Sequence, residues 1–275
     1  MYLSANIHPI SKKVGFEKAI DLLQSVGFEA YDMSFDEPEE NLICEGWQDN
    51  VKAMRKYADS KGIVCNQAHA PFPTAVADRQ RSEDIFKRIV MAMEGAAILG
   101  ARIIVVHAIS FLYPITFSED LYRINMEFFE KLIPYCEQFG IKVAIENCWT
   151  YKNDIQSNAY ILHALPDTVG RVEDFNRYID TLNSPWIVGC VDVGHLALMG
   201  ADPYDWILKA AHRAPRAEAM MRGFLMMFSK ILPTLTLPPR RSSKVNTASR
   251  LKEGTTTDTS RLTGPTFSGP QSCSA

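Results

Sequence analysis

Two short apolar runs in this chain each end on a carboxylate: Ile141-Lys142-Val143-Ala144-Ile145-Glu146-Asn147 and Ile187-Val188-Gly189-Cys190-Val191-Asp192-Val193-Gly194-His195. A carboxylate at the end of an apolar strand is costly to bury without a partner. Two of them from neighbouring strands are well placed to share a divalent cation, with imidazole as a further donor. Two more apolar runs lead to histidines, His69 and His107, and His195 stands one short turn past Asp192. Taken singly, each of these residues also has a structural reading. A strand-end histidine can be a hydrogen-bonded core residue, Glu146 can cap its loop, and Asp192 can make an Asx turn with Gly194. Their joint occurrence on four separate strand ends is the pattern a metal or acid–base site needs.

The elements that must hold these residues read as strand-then-helix units. Strands are expected over 2–7, 28–33, 63–69, 102–107, 141–146 and 187–192. Helices are expected over 16–26, 47–60, 84–99, 118–139 and 172–182, each with apolar residues at helical spacing, such as Val172, Phe175, Ile179 and Leu182. Gly27, Gly62, Gly100 and Gly140 each precede a strand, where a left-handed residue ends a helix and turns the chain. This recurrence predicts an α/β fold with a parallel sheet. A (β/α)8 barrel is favoured over a doubly wound sheet because the first strand ends in Ile7-His8-Pro9-Ile10, with no Gly-rich phosphate loop. In such a barrel, the C-terminal strand ends point into the active-site mouth. Two long loops, 70–81 and 148–170, are placed to cover that mouth.

The pattern fails after about residue 210. Residues 1–212 hold 19 basic and 29 acidic residues, whereas 213–275 hold 10 and 3, together giving the net charge of −3. The later stretch is rich in Ser, Thr and Pro, a composition that cannot bury enough apolar surface to order itself. The expected organisation is a partial barrel of about six βα units over 1–212 and a disordered, basic tail over 213–275. The abruptness of the change favours a reading frame lost near residue 210 over a selected extension. The two outer strands, the first and the sixth, would then be open edges that invite association between chains.

A net charge of −3 and a pI near 6.1 argue against polyanion binding. The six scattered cysteines include no C-x-x-C pair and read as reduced thiols. No signal peptide is indicated, and the apolar stretch 224–237 is too short to span a membrane and contains Lys230 and Pro233. A cytoplasmic protein is the expectation.

The segments Val143-Ala144-Ile145-Glu146-Asn147 and Val191-Asp192-Val193-Gly194-His195 resemble those of the xylose isomerase-like TIM-barrel superfamily, in its sugar phosphate isomerase/epimerase branch. Gly27-Phe28-Glu29-Ala30-Tyr31-Asp32 and His69-Ala70-Pro71 match the same pattern, so the resemblance covers about residues 1–210. It implies a divalent metal (manganese, magnesium, cobalt or zinc) held by Glu146 and Asp192 together with a seventh-strand histidine and an eighth-strand glutamate. It also implies that Glu146 exchanges the proton at carbon through an enediolate. His195 would contact a substrate oxygen, and His69, His107, Asn147 and Trp149 would line the sugar or sugar-phosphate site. The chain departs from the pattern at the last two ligands: His212 lies among Ala211, Arg213, Ala214 and Pro215, with no apolar strand around it. An impaired isomerase or epimerase is therefore expected. The alternatives are a metal-dependent apurinic endonuclease of the endonuclease IV type, which would use His69 and His107, and an inactive truncated product.

Overall fold

The computed structural model describes residues 2–35, 46–110, 118–152, 163–211 and 225–227. These belong to one compact unit, 1–230; a second unit, 231–275, lies outside the described residues. The order is β1 (Ser4–Asn6), α1 (His8–Val14), α2 (Phe16–Ser25), β2 (Ala30–Ser34), α3 (Trp47–Ser60), β3 (Val64–His69), α4 (Arg79–Leu99), β4 (Ile103–Val106) and α5 (Glu119–Phe139). It continues with β5 (Lys142–Glu146), β6 (Trp149–Lys152), β7 (His163–Pro166), α6 (Val172–Leu182), β8 (Ile187–Asp192), α7 (Val193–Leu198), α8 (Pro203–Ala211) and β9 (Leu225–Met227).

Seven strands form one sheet in the order β1-β2-β3-β4-β5-β8-β9, and every neighbouring pair is parallel. This is the wall of an incomplete parallel barrel, as the βα pattern predicts. Helices cover its outer face through their apolar stripes. α4 buries Ile85, Ile89, Met93 and Ala96, α5 buries Phe129 and Leu132, and α6 buries Phe175 and Tyr178. Gly100 and Gly140 end α4 and α5 in the left-handed region, at φ 90° and 69°.

Several boundaries differ from the sequence expectation. Residues 8–14 form a helix with Pro9 in its first turn, where a missing N–H is harmless. α4 starts five residues early because the Asp78 side chain accepts from the Arg81 N–H and caps it. The expected long loop 148–170 contains an antiparallel hairpin, β6 with β7, pairing Trp149 with Pro166 and Lys152 with His163.

The expectation that the sixth strand is an open edge is corrected. β9 pairs with β8, setting Leu225, Met226 and Met227 beside Cys190, Val191 and Asp192. Apart from β9, the expected disordered tail lies outside the described residues. Among the described residues, no helix is long and apolar enough to cross a membrane.

The inner face of the sheet positions the site. Side chains two residues apart on a strand share a face. Val105, Ala144 and Cys190 form a small buried cluster, packed with Ile103 and Val188. Two residues further along their strands come His107, Glu146 and Asp192, so the apolar cluster is the floor beneath them.

Candidate active site

Glu146 ends β5 and is 2% exposed. Its Oε2 lies 2.7 Å from His107 Nε2, just beyond β4. Burial is the largest influence on the Glu146 carboxyl and pushes its pKa up. The hydrogen bond and charge of His107, with the charges of His69 and His195, outweigh that effect and hold the pKa below the usual glutamate value. His107 Nδ1 is buried without a hydrogen-bond partner. The ring of Phe72, itself 53% exposed, stands edge-on to His107 at 5.2 Å.

Asp192 ends β8 and is also 2% exposed. Its Oδ1 accepts from the backbone N–H groups of Gly194 and His195, at 2.6 and 2.9 Å, and so caps α7. That bond explains the turn after Asp192 and fixes where His195 lies. The Nδ1 of His195 is 2.8 Å from the Asn147 carbonyl oxygen. A carbonyl only accepts, so Nδ1 carries the proton, and Nε2 lies 3.9 Å from Asp192 Oδ2.

Asn147 ties the two acidic strand ends together. Its Oδ1 accepts from the Asp192 N–H at 2.6 Å, and its Nδ2 donates to the Asp192 carbonyl at 3.1 Å. Asn147 is fully buried, so its amide serves the geometry of Asp192 from beneath the mouth.

Glu146, Asp192 and His195 each offer a donor atom, and all three atoms lie within 4.8 Å of one another. The set suits a divalent cation: two carboxylates supply charge, and a neutral imidazole has its tautomer fixed by a backbone carbonyl on its far nitrogen. Among the described residues, no other group of three such donors includes His69 or His107. His69 Nδ1 is instead 3.1 Å from Asp32 Oδ1, and Gln67 Nε2 donates to Asp32 Oδ2 at 2.6 Å. Trp149 starts β6, half-buried at the edge of the hairpin.

Two acids at the mouth are not singled out by sequence periodicity. Asp32 lies inside β2 rather than at a strand end. Asp167 follows β7, buried, with Oδ1 accepting from the Val169 N–H at 2.8 Å. Burial raises the Asp167 pKa from 3.8 to about 6, against the lowering influence of that hydrogen bond and of the charges of His107 and His195. The loop composition offered no signal for Asp167, because its burial depends on the hairpin.

Comparisons with known proteins agree with this architecture. The family model described as xylose isomerase-like TIM barrel matches residues 20–222. A putative L-ribulose-5-phosphate 3-epimerase from Haemophilus influenzae is 21% identical over 193 residues, covering 68% of this chain. The match spans 62% of that relative's length. A xylose isomerase-like TIM barrel protein from Mycobacterium smegmatis, solved in complex with magnesium, superposes with a TM-score of 0.58 at 13% identity, over 76% of this chain and 71% of that one. A D-psicose 3-epimerase solved in the presence of D-fructose gives 0.55 at 15% identity, over 77% and 70%. These structural likenesses concern the fold. The family match covers most of the sequence, and the chain belongs to the xylose isomerase-like TIM barrel family.

Proposed function

We propose that this chain carries the site of a divalent-metal-dependent sugar or sugar-phosphate isomerase or epimerase. The observation that carries the reading is the approach of Glu146, Asp192 and His195 donor atoms to within 4.8 Å, above a buried apolar floor at the strand ends. Glu146, Asp192 and His195 would hold the cation. A bound manganese, magnesium, cobalt or zinc ion would supply Lewis-acid polarisation of a substrate carbonyl, which acidifies the adjacent C–H.

Everything else is the work of side chains. Glu146 is an ionised carboxylate kept in that form by His107, and it takes the proton from carbon. Asn147 holds Asp192 in place, while Trp149 and Phe72 offer apolar surface to the carbon side of a sugar. The names of the relatives support the substrate class: a putative L-ribulose-5-phosphate 3-epimerase and a D-psicose 3-epimerase. Among the described residues, the group of donors that could share a cation includes neither His69 nor His107, which disfavours the endonuclease alternative, in which both would be metal ligands. We retain the expectation of impaired turnover, because the sequence after about residue 210 offers no match to the seventh-strand histidine and eighth-strand glutamate that the resemblance implies.

The test is deuterium exchange at the carbon next to the carbonyl. The full chain, with manganese, is incubated in heavy water with D-fructose, D-psicose, L-ribulose and L-ribulose 5-phosphate. Exchange into any of them, dependent on manganese and abolished by Glu146→Gln with little change in sugar binding, is the expected result. No exchange and no manganese-induced thermal shift would leave the inactive product as the correct reading.

A further inference from the structure

We infer that Thr74 is a positioning residue of this site, fixing the His107 peptide and so aiming the His107 ring at Glu146; the inference rests on the epimerase reading, in which Glu146 is the base.

His107 lies where the sheet stops holding the chain. The β4–β5 ladder ends at the pair Val106 and Ile145. The β3–β4 ladder ends at His69 and Val105, with the Ala70 N–H on the Val105 carbonyl at 2.9 Å. His107 is one step past both, and backbone groups withdrawn from water need a partner. The Thr74 hydroxyl supplies one, donating to the His107 carbonyl at 2.8 Å. Thr74 is buried and lies 33 residues away in the chain, in the loop between β3 and α4.

Both ends of this contact are themselves anchored. On the Thr74 side, Ser82 of α4 grips Val76. Its hydroxyl accepts from the Val76 N–H at 3.0 Å and donates to the Val76 carbonyl at 2.7 Å. Thr74 is thus held between Ala70 and Val76. On the His107 side, Asn125 of α5, fully buried, grips Ile109. Its Oδ1 accepts from the Ile109 N–H at 2.6 Å, and its Nδ2 donates to the Ile109 and Leu121 carbonyls, each at 3.0 Å. A reversed amide would set an NH2 against the Ile109 N–H, so the partners allow only this orientation. Asn147 grips the backbone of Asp192 in the same way.

Only His107 and Ala108 then separate the ladder from the fixed Ile109. The peptide that follows His107 can still rotate about the torsions that flank it, and the Thr74 bond removes that freedom. The ring is left with one aim, its Nε2 2.7 Å from Glu146 Oε2. A short bond to a carboxylate weakens steeply with misalignment. Phe72, edge-on to His107 at 5.2 Å, belongs to the same loop as Thr74. One loop therefore sets both the backbone and the ring packing of His107.

The test uses the full chain with Thr74→Val, which keeps the branched shape without the hydroxyl, and Thr74→Ser, which keeps the hydroxyl. Thr74→Ala, also without the hydroxyl, is run beside them. The first readout is proton NMR with no manganese added. An imidazole N–H bonded to a carboxylate gives a downfield signal, assigned to His107 by its loss in His107→Gln. The signal should persist in Thr74→Ser and be lost in Thr74→Val and Thr74→Ala, while the amide spectrum reports that each variant is folded. The second readout is manganese-dependent deuterium exchange with the same four sugars. Thr74→Val should lower kcat about tenfold with KM within about twofold, and Thr74→Ser should restore it, on the scale for partners that orient a functional side chain. On a His107→Gln chain, Thr74→Val should add no further loss, because it acts only through His107. A His107 signal unchanged without the Thr74 hydroxyl would overturn the inference, as would its absence from the unsubstituted chain. So would a loss of kcat on the His107→Gln chain equal to that on the unsubstituted one. If the unsubstituted chain exchanges no deuterium, the functional reading fails, and the NMR comparison alone decides whether Thr74 positions His107.

Discussion

His107 Nε2 and Glu146 Oε2 lie 2.7 Å apart, joining the ends of two adjacent strands across the inner face of the sheet. Glu146 is almost completely buried, so His107 is what makes its charge tolerable there. His107→Phe keeps a ring of similar size but leaves a buried carboxylate without this donor. Stability at pH 7 should fall by about 3 kcal/mol, the scale for breaking a buried pair by removing one partner. His107→Gln retains an N–H donor and should lose clearly less. Urea unfolding of the two variants checks this; equal losses would show that ring packing, not pairing, explains the contact.

Asn147 makes two buried hydrogen bonds to the backbone of one residue, Asp192. Asn147→Ala leaves the Asp192 N–H and carbonyl without those partners, and stability should fall by about 2–3 kcal/mol. The carboxylate of Asp192 also loses its fixed aim, so manganese affinity should weaken at least tenfold, on the scale seen for residues that orient metal ligands. Titration calorimetry with manganese measures it. Unchanged affinity would place Asn147 outside the control of the site.

The strand ends were legible because each carries its signal locally: an apolar run and then a polar residue, as at Glu146 and Asp192. The helices were legible through their apolar spacing, and Gly100 and Gly140 marked their ends. What escaped depends on contacts distant in sequence. Asp32 sits inside a strand, and only the bulge between Tyr31 and Asp32 pairs it with Gln67. The hairpin strand His163-Ala164-Leu165-Pro166 is short and ends in proline, which reads against a strand. β9 is three residues in a stretch without the strand-then-helix pattern, and its place in the sheet comes from pairing with β8.

Gly170 closes the hairpin against α6. A Cβ there would lie 2.5 Å from the Cys148 carbonyl oxygen, 2.7 Å from Pro166 Cα and 2.9 Å from the Asp167 nitrogen. These are backbone atoms and cannot rotate aside. Gly170→Ala should therefore destabilise by about 1–3 kcal/mol, as overpacking does. The displaced atoms include the strand end that carries Asp167. Thermal unfolding is the measurement, and a variant as stable as the parent would mean that the hairpin exit yields freely.

Asp167 gives the chain a pH dependence whose sign can be worked out. Burial raises its carboxyl from 3.8 to about 6 in the folded state. Between about pH 4 and 6 the folded chain then binds more protons at this position than the unfolded chain. Stability from this group is therefore present at low pH and is lost as pH rises through the folded value. At about 1.4 kcal/mol per tenfold change in proton affinity, the loss by pH 7 is about 3 kcal/mol. Asp167→Asn keeps an oxygen that accepts from the Val169 N–H at the same place, but it never ionises. Urea unfolding of both proteins from pH 4 to pH 7 should show nearly equal stability at the acid end. The asparagine variant should then gain a growing advantage that levels off near pH 7. A difference that stays constant across that range would mean that Asp167 ionises as readily in the folded chain as in the unfolded one.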